Sequence, residues 1–190
     1  MLNSRKITVL VALAASMTLG TVALSVMDRP PVRPPQPAAI LGSEPGALAA
    51  VLRPRSPLQA NKWQKIVLHA SVGEHAPVAL GCHLKVFVDG QRPIRVEPTS
   101  LWQDQADGRH VTLAGLGQNA RSIGICLIGD DGRTALTAEQ LKQLLDLVHR
   151  LQRRCEIPAG RVYLAEHLGL AGTTPGEAFP RARFDDALLR

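Results

Sequence analysis

GRVYLAEHLGLAGTTPGEAFPRARF, residues Gly160 to Phe184, is the segment of this chain that decides the predicted fold. Its apolar beginning predicts a short strand that ends near His167, and an irregular loop with a Pro-Gly turn follows. A second predicted strand, Lys65 to Ser71, carries His69 at the end of its apolar run KIVLH. Histidines at the ends of two strands can meet over one cleft at a sheet edge, which is a common way to assemble a zinc site. The two segments therefore predict a sheet with a histidine pair at one edge.

Other segments extend this sheet. Residues Cys82 to Val88 alternate between apolar and other side chains, Asp89-Gly90 predicts a hairpin turn, and Ile94 to Glu97 predicts the returning strand. The continuous apolar run Ser122 to Gly129 predicts a central strand buried on both faces. The polar, glycine-containing stretch Trp102 to Leu116 predicts a surface loop.

One long helix follows the central strand. Thr137 and Gln140 have the spacing of a capping box, and apolar residues recur after them at helical spacing. These apolar residues are Leu141, Leu144, Leu145, Val148 and Leu151. Strands combined with a helix of this kind predict an α/β domain with a mixed central sheet and flanking helices.

The composition favours anionic partners. The chain has 190 residues, a formal net charge of +6 and a pI near 9.8, so it has room for one domain with appendages and attracts acidic polymers or phospholipid head groups. Only 3% of its residues are aromatic, and no basic cluster is interleaved with them. This pattern argues against a protein that reads nucleic acid.

The N-terminus predicts export to the cell envelope. Arg5 and Lys6 precede an uncharged run, Ile7 to Val26, that is about long enough to cross a bilayer as a helix. Positive charge before such a run keeps that end in the cytoplasm, so we expect an inner-membrane anchor with the rest of the chain facing the periplasm or another extracytoplasmic space. A cleaved signal peptide and a secreted protein are the alternative, with Ala23 and Ser25 as small residues before a cut.

A proline-rich segment follows the apolar run. Its prolines remove backbone donors and favour extended geometry, so residues 28–60 are predicted to be a semi-rigid spacer in which only ALAAVL, residues 47–52, could make a helical turn. The predicted division is an anchor or signal peptide at 1–27, the spacer at 28–60, one domain at 61–184 and a tail at 185–190.

Three cysteines are an odd number for an oxidising compartment. Cys126 lies in the predicted central strand and is interpreted as an inert core thiol. Cys155 ends the predicted helix, and a disulfide between it and Cys82 remains open.

Four segments, in order, resemble the zinc amidases that cut peptidoglycan, a family that includes phage amidases and peptidoglycan recognition proteins. WQKIVLHAS (63–71) is similar to the family's strand that ends in a histidine, and GCHLKVFVDG (81–90) is similar to its hairpin strand. NARSIGICLIG (119–129) is similar to its strand before a helix, and AEHLGLAGTTPGEAF (165–179) to its closing histidine and Pro-Gly frame. The resemblance is to type 2 N-acetylmuramoyl-L-alanine amidases and implies their fold over roughly Trp63 to Phe184.

The resemblance also implies a zinc site and shows where this chain departs from it. The family holds zinc with two histidines and a cysteine or aspartate, and His69 and His167 occupy the histidine positions. The third-ligand position is Thr174, a poor zinc ligand. The position of the family's lysine, which stabilises the oxyanion, is Gly172. The hairpin tyrosine that helps to position the attacking water is replaced by Cys82.

Two further expectations follow from the hairpin region. The segment Ala70 to Leu80 is too short for the family's cleft-wall helix with its loops, so we expect the fold to be shortened by one cleft helix. If zinc is bound, a rearranged ligand set of His69, His167 and Cys82 is the hypothesis, because a thiolate is a better ligand than a threonine hydroxyl. His83, adjacent to Cys82 on a strand, is then expected to face away from the cleft.

His110 and Asn119 are the candidate substrate-binding residues, since the resemblance places them near the cleft. The sequence thus favours an exported, membrane-tethered domain that binds peptidoglycan muropeptide with cleavage lost or weak. The alternatives are an active zinc-dependent N-acetylmuramoyl-L-alanine amidase, which hydrolyses the amide between N-acetylmuramic acid and L-alanine, and a non-catalytic scaffold for protein contacts.

Overall fold

A computed structural model describes residues 38–40, 46–71, 76–111, 118–129, 135–170, 173 and 175–190. These residues belong to one compact unit that runs from Gln36 to Arg190. The predicted anchor at 1–27 and the spacer up to residue 37 lie outside them. Within the described ranges, no helix has the length and apolar character needed to cross a membrane.

The centre of the unit is a mixed sheet, as predicted. Its described strands are β1 (Ala39–Ile40), β2 (Lys65–Ser71), β3 (Leu84–Phe87), β4 (Arg95–Pro98), β5 (Ser122–Ile128) and β6 (Val162–Leu164). Their spatial order is β1-β4-β3-β5-β2-β6. The pairs β3–β5, β5–β2 and β2–β6 are parallel, whereas β4 is antiparallel to both β1 and β3. The strands β3, β5, β2 and β6 therefore lie side by side in parallel, and their carboxyl ends point to one edge.

Helices cover the sheet. The described α-helices are α1 (Ala47–Val51), α2 (Pro77–Gly81), α3 (Ser100–Gln103), α4 (Ala138–Cys155) and α5 (Arg181–Asp186), and 3₁₀ turns span Ala60–Lys62, Ala159–Arg161 and Ala165–Leu168. The short connection between β2 and β3 contains α2, a helix of five residues. This segment lies where we expected the cleft-wall helix to be missing. Its described helix is only a little over one turn long.

The long helix α4 begins at the predicted capping box. The Thr137 hydroxyl accepts a hydrogen bond from the Gln140 amide at 3.1 Å, and the Gln140 side chain accepts one from the Thr137 amide at 2.9 Å. Gln140 also donates to the carbonyl oxygens of Gly90 and Arg92, so the same side chain ties the hairpin to the helix.

Thr137→Ala is expected to destabilise the domain by about 1 kcal/mol, because it removes the hydroxyl that satisfies a free amide of the first helical turn. The free energy of unfolding from urea titration measures this effect. Thr137→Ser keeps the hydroxyl and is the matched control. Equal losses in both variants would contradict the role of the cap.

The two faces of the sheet bury different kinds of residue. Ile66 and Leu68 of β2 point to the main core, with Ile123, Ile125 and Leu127 of β5 and the apolar side of α4. Because successive strand residues face opposite sides, His69 and Ser71 of β2 and Gly124 and Cys126 of β5 lie on the other face. We call this second face the histidine face.

The packed unit is longer than the predicted domain at both ends. Leu48 and Val51 of α1 and the following Leu52 are buried in the main core, and β1 pairs with β4. Leu188 is buried in the same core, and the amide of Leu189 donates to Gln152. The described residues of 47–52 and of the C-terminus thus pack with the domain. The reason is that the apolar side chains of 47–52 and of the C-terminus find a partner surface that lies far away in sequence.

The predicted surface loop at 102–116 was wrong in its described part. Trp102 is fully buried, and the side chains of Gln103 and Gln105 are almost completely buried. The Gln105 side chain accepts a hydrogen bond from the Trp63 indole nitrogen at 2.8 Å. The Gln105 side chain thus satisfies a buried donor instead of facing solvent.

Candidate functional site

Sheet topology places both predicted zinc histidines at one edge. Leu68 of β2 pairs with Leu164 of β6 in parallel register, and each strand ends shortly afterwards. His69 is the next residue of β2, whereas His167 lies in the 3₁₀ turn Ala165–Leu168 that directly follows β6. The carboxyl edge of adjacent parallel strands is a common place for a ligand site in α/β proteins.

His69 is fully buried and has a hydrogen-bond neighbour at each ring nitrogen. Its Nε2 lies 3.0 Å from Nδ1 of His110, and its Nδ1 lies 3.4 Å from the hydroxyl of Thr173. The carbonyl of Thr173 also accepts a hydrogen bond from the amide of Ala70 at 2.8 Å. Thr173, which precedes the Pro-Gly turn by two residues, therefore lies beside the end of β2.

His110, named from the sequence as a substrate-binding candidate, lies on the histidine face beneath this edge. Its Nε2 is 3.4 Å from the backbone carbonyl of Ser122. A carbonyl can only accept, so this contact assigns the proton to Nε2 and leaves Nδ1 as the acceptor for His69. The His69 Nε2–H is then the donor, and its Nδ1 lone pair faces the Thr173 hydroxyl.

Glycine makes room for the ring of His110. A Cβ atom at Gly124 would lie 2.4 Å from His110 Cδ2, and one at Gly108 would lie 2.5 Å from the same atom. The glycine within SIGIC thus lets a histidine ring rest directly on the central strand. The sequence analysis identified His110 and the SIGIC segment but did not predict their contact. The signal for it is the glycine inside a buried strand, because such a glycine often marks a place where another group closely approaches the backbone.

His83 is a buried structural neighbour of this pair. Its Nδ1 accepts a hydrogen bond from the Gly124 amide at 3.0 Å, and its Nε2 donates to the Ala106 carbonyl at 3.0 Å. Its ring lies 5.7 Å from that of His110. Its ring also packs against Trp63 at 4.8 Å. Strand β3 begins only at Leu84, so the alternation from which we expected His83 to face away from the cleft does not apply to residues 82 and 83.

Burial keeps all three histidines neutral. It lowers the pKa of His69 to about 3 and that of His83 to about 3, with the nearby His110 as a secondary cause in each case. Burial also lowers the pKa of His110 to about 4. The cluster therefore consists of uncharged rings held by hydrogen bonds at neutral pH.

His167 is separate from this network. Its side chain is exposed, and its Nδ1 accepts a hydrogen bond from the Leu164 amide of its own turn at 3.4 Å. In the part of the chain that the structure describes, no hydrogen bond joins it to His69. Gly172 and Thr174, the positions of the family's lysine and third ligand, lie outside the described residues.

The residues described do not assemble a zinc-binding set. No group of three or more His, Cys, Asp or Glu side chains within those ranges could hold a metal ion. Cys82, the rearranged third ligand of our hypothesis, is fully buried and packs against Cys126. All three cysteines are free, and Cys155 lies in the main core on the opposite side of the sheet, so the Cys82–Cys155 disulfide is not formed.

Asn119 has a local backbone role in the structure. Its side chain accepts from the Val111 amide and donates to the Val111 carbonyl, both at 2.9 Å. These two bonds tie Asn119 to the residue that follows His110. Both polar atoms of the Asn119 side chain, which the sequence suggested as a substrate-binding group, are engaged in these bonds.

A groove continues along the same carboxyl edge. It encloses about 640 Å³ and is lined by the ends of β3 and β5, including Phe87, Ile128 and Gly129, and by Arg92 and Arg95 of the hairpin. Ile128 is paired in register with Ser71, the last residue of β2, and Ser71 lies two residues after His69. The groove therefore begins beside the end of the strand that carries His69. The edge thus combines a neutral histidine pair with an apolar groove whose two arginines are ion-paired, Arg92 with Asp89 and Arg95 with Glu97.

The chain was compared with known proteins. The sequence model of the family "N-acetylmuramoyl-L-alanine amidase" matches residues 59–177. Among solved structures, the endolysine N-acetylmuramoyl-L-alanine amidase LysCS from Clostridium intestinale URNW is 23% identical with a TM-score of 0.49, covering 70% of this chain and 89% of its own. The amidase LysC from the same organism is 22% identical with a TM-score of 0.49, covering 70% and 91%.

A third structure is PGRP-Hd from Alvinella pompejana, with 18% identity, a TM-score of 0.43, and coverage of 74% of this chain and 93% of its own. No curated protein matches the chain. The family model covers more than half of the 190 residues and includes β2 through the Pro-Gly turn, so the chain belongs to the N-acetylmuramoyl-L-alanine amidase family.

Proposed function

We propose that this amidase-family domain binds the peptide part of peptidoglycan at its carboxyl edge and cleaves it weakly or not at all. We further propose that the apolar N-terminal run tethers it to the membrane, so that the domain meets its target in the cell envelope. Family membership supports the peptidoglycan partner. The separate contacts of His69 and His167 support the loss of cleavage.

The separate contacts of the two family histidines carry this proposal. A histidine that binds zinc must direct a ring-nitrogen lone pair at an open coordination position. His69 directs its Nδ1 lone pair toward the hydroxyl of Thr173, whose proton is donated to the Leu170 carbonyl. The Nδ1 lone pair of His167 instead accepts a hydrogen bond from the Leu164 amide of its own turn. The two family histidines thus occupy neighbouring strand ends without presenting a common ligand set.

The groove supports retained binding. A sheet-edge groove of this size holds an extended peptide by apolar and backbone contacts, which do not require a metal. Arg92 lines it with an exposed side chain that is ion-paired with Asp89, and the guanidinium of Arg95, which is ion-paired with Glu97, stacks over the Phe87 ring at 3.7 Å. The charged lining residues Asp89, Arg92 and Arg95 leave an excess of one positive charge, which complements the carboxylates of peptidoglycan peptides.

An active zinc amidase is the second candidate. Thr173 lies at the loop that contains the family's third-ligand position, and the Nδ1 lone pair of His69 faces it. Zinc content of the purified full-length protein distinguishes the two functions. Stoichiometric zinc that is lost in His69→Ala would favour the enzyme. A scaffold role would leave peptidoglycan binding absent in every assay.

The full-length protein in mild detergent is expected to sediment with insoluble peptidoglycan but to release peptide no faster than its His69→Ala, His167→Ala double variant. The physical reason is that the described residues supply no assembled ligand set for the zinc that activates the attacking water.

Soluble peptide fragments quantified by mass spectrometry measure the release, and the bound fraction measures the binding. Arg92→Ala is the matched binding variant, since it removes a charge at the groove and leaves the histidine face intact. Release that requires zinc and both histidines would overturn the loss of cleavage, whereas unbound wild-type protein would overturn the binding proposal.

A further inference from the structure

Two of the three cysteines contact each other on the histidine face. Cys126 lies in the central strand β5, and Cys82 lies between α2 and β3. Both are fully buried and pack with Ala79 and Ile128 in a small apolar cluster. Their side chains are hydrogen-bonded to each other. They are 44 residues apart in sequence, so only the fold brings them together.

The two thiols have different environments. The hydrogen bond with Cys82, together with one from Ser71, lowers the pKa of Cys126. Burial raises the pKa of the Cys82 thiol. Both thiols thus lie in one closed cluster, so the folded state holds them together away from solvent.

We propose that Cys82 and Cys126 become linked by an intramolecular disulfide when the chain folds in an oxidising environment. The oxidant is a low-molecular-weight or protein disulfide. The Cys126 thiolate attacks one sulfur of that oxidant, which gives a mixed disulfide and releases the first thiolate. Cys82 then gives up its proton and attacks the Cys126 sulfur, which releases the second thiolate. The two protein thiols thus lose two electrons and two protons, and the oxidant's disulfide becomes two thiols.

The link forms during folding, because both sulfurs are closed to solvent afterwards. It would fasten the residue that follows α2 to the central strand. The position beside Cys126 in the β2–β5 register is His69, so the link would fix the floor of the candidate site. This inference is independent of whether the domain cleaves or only binds peptidoglycan.

The test counts free thiols. The full-length protein is unfolded and refolded in a mixture of reduced and oxidised glutathione, then denatured without reductant in the presence of iodoacetamide. We expect one alkylated cysteine, Cys155, and a protein lighter than its reduced form by two hydrogen atoms before alkylation. Peptide mapping should recover Cys82 and Cys126 in one linked fragment. Three alkylated cysteines, or a link that includes Cys155, would overturn the proposal.

Single substitutions provide matched controls. Cys155→Ser should leave no thiol to alkylate, whereas Cys126→Ser should leave two. Reductant should lower the melting temperature of the wild type and of Cys155→Ser but leave that of Cys126→Ser unchanged. If Cys126→Ser does not fold, the thiol count of the wild type and of Cys155→Ser still decides the question.

Discussion

Gly124→Ala is expected to destabilise the domain by about 3 kcal/mol or more, although it adds a single methyl group. The new Cβ would lie 2.4 Å from the His110 ring. That ring cannot move aside at low cost, because His69 holds it at one nitrogen and Ser122 at the other. The glycine is also in the central strand, whose backbone is paired on both sides. Urea denaturation of the wild type and the variant measures the difference.

Gly160→Ala is the matched control for this prediction. A Cβ at Gly160 would meet no atom within 4 Å, so the same substitution there is expected to change stability by less than about 1 kcal/mol. The double variant, Gly124→Ala with His110→Ala, should lose less unfolding free energy than the two single variants lose together, because removing the ring removes the overlap. Additive losses would contradict a direct clash between residue 124 and the His110 ring.

Lowering the pH from about 7 to about 5 is expected to reduce the stability of the domain by several kcal/mol. His69 and His83 have a pKa of about 3 in the fold and His110 of about 4, whereas an unfolded chain protonates histidine near pH 6.5. Between these values the unfolded state binds more protons, so stability is full above about pH 6.5 and is lost as the pH falls.

The size of the effect follows from the same values. Each buried histidine contributes a loss of roughly 2 kcal/mol at about pH 5, and the three together approach the total stability of a typical domain. Free energies of unfolding at a series of pH values measure it. His83→Gln, whose amide can replace both backbone hydrogen bonds, should reduce the pH dependence by about one third. An unchanged slope in this variant would show that His83 is not neutral in the fold.

The parts of the fold that local patterns determine could be predicted. Strand β2 was predicted to its exact bounds, because the β-branched and apolar run Ile66 to Leu68 lies at its centre. The cap of α4 was predicted from Thr137 and Gln140 alone, since both hydrogen bonds join residues three apart. The return strand of the hairpin was displaced by one residue, which is within the freedom of a turn.

The parts that long-range contacts determine could not be predicted. Gln105 appears as a surface residue in the sequence, but its partner Trp63 is 42 positions away. The helix α1 follows prolines and is buried only because the core offers a surface to Leu48 and Val51. At the site, His69 and His110 were both identified, yet their hydrogen bond depends on the space that Gly124 and Gly108 leave, which a sequence pattern does not specify.

The parallel position of β2 between β5 and β6 has a consequence for how the chain acquires its structure. Leu68 pairs with Leu164, so 96 residues must be available before both sides of β2 are paired. Pairing between residues so far apart in sequence makes folding slow and late. The chain is therefore expected to stay unfolded while it is being synthesised or transported. A chain that ended before residue 162 would keep one side of an apolar strand open to other molecules, and an unpaired edge of this kind promotes aggregation.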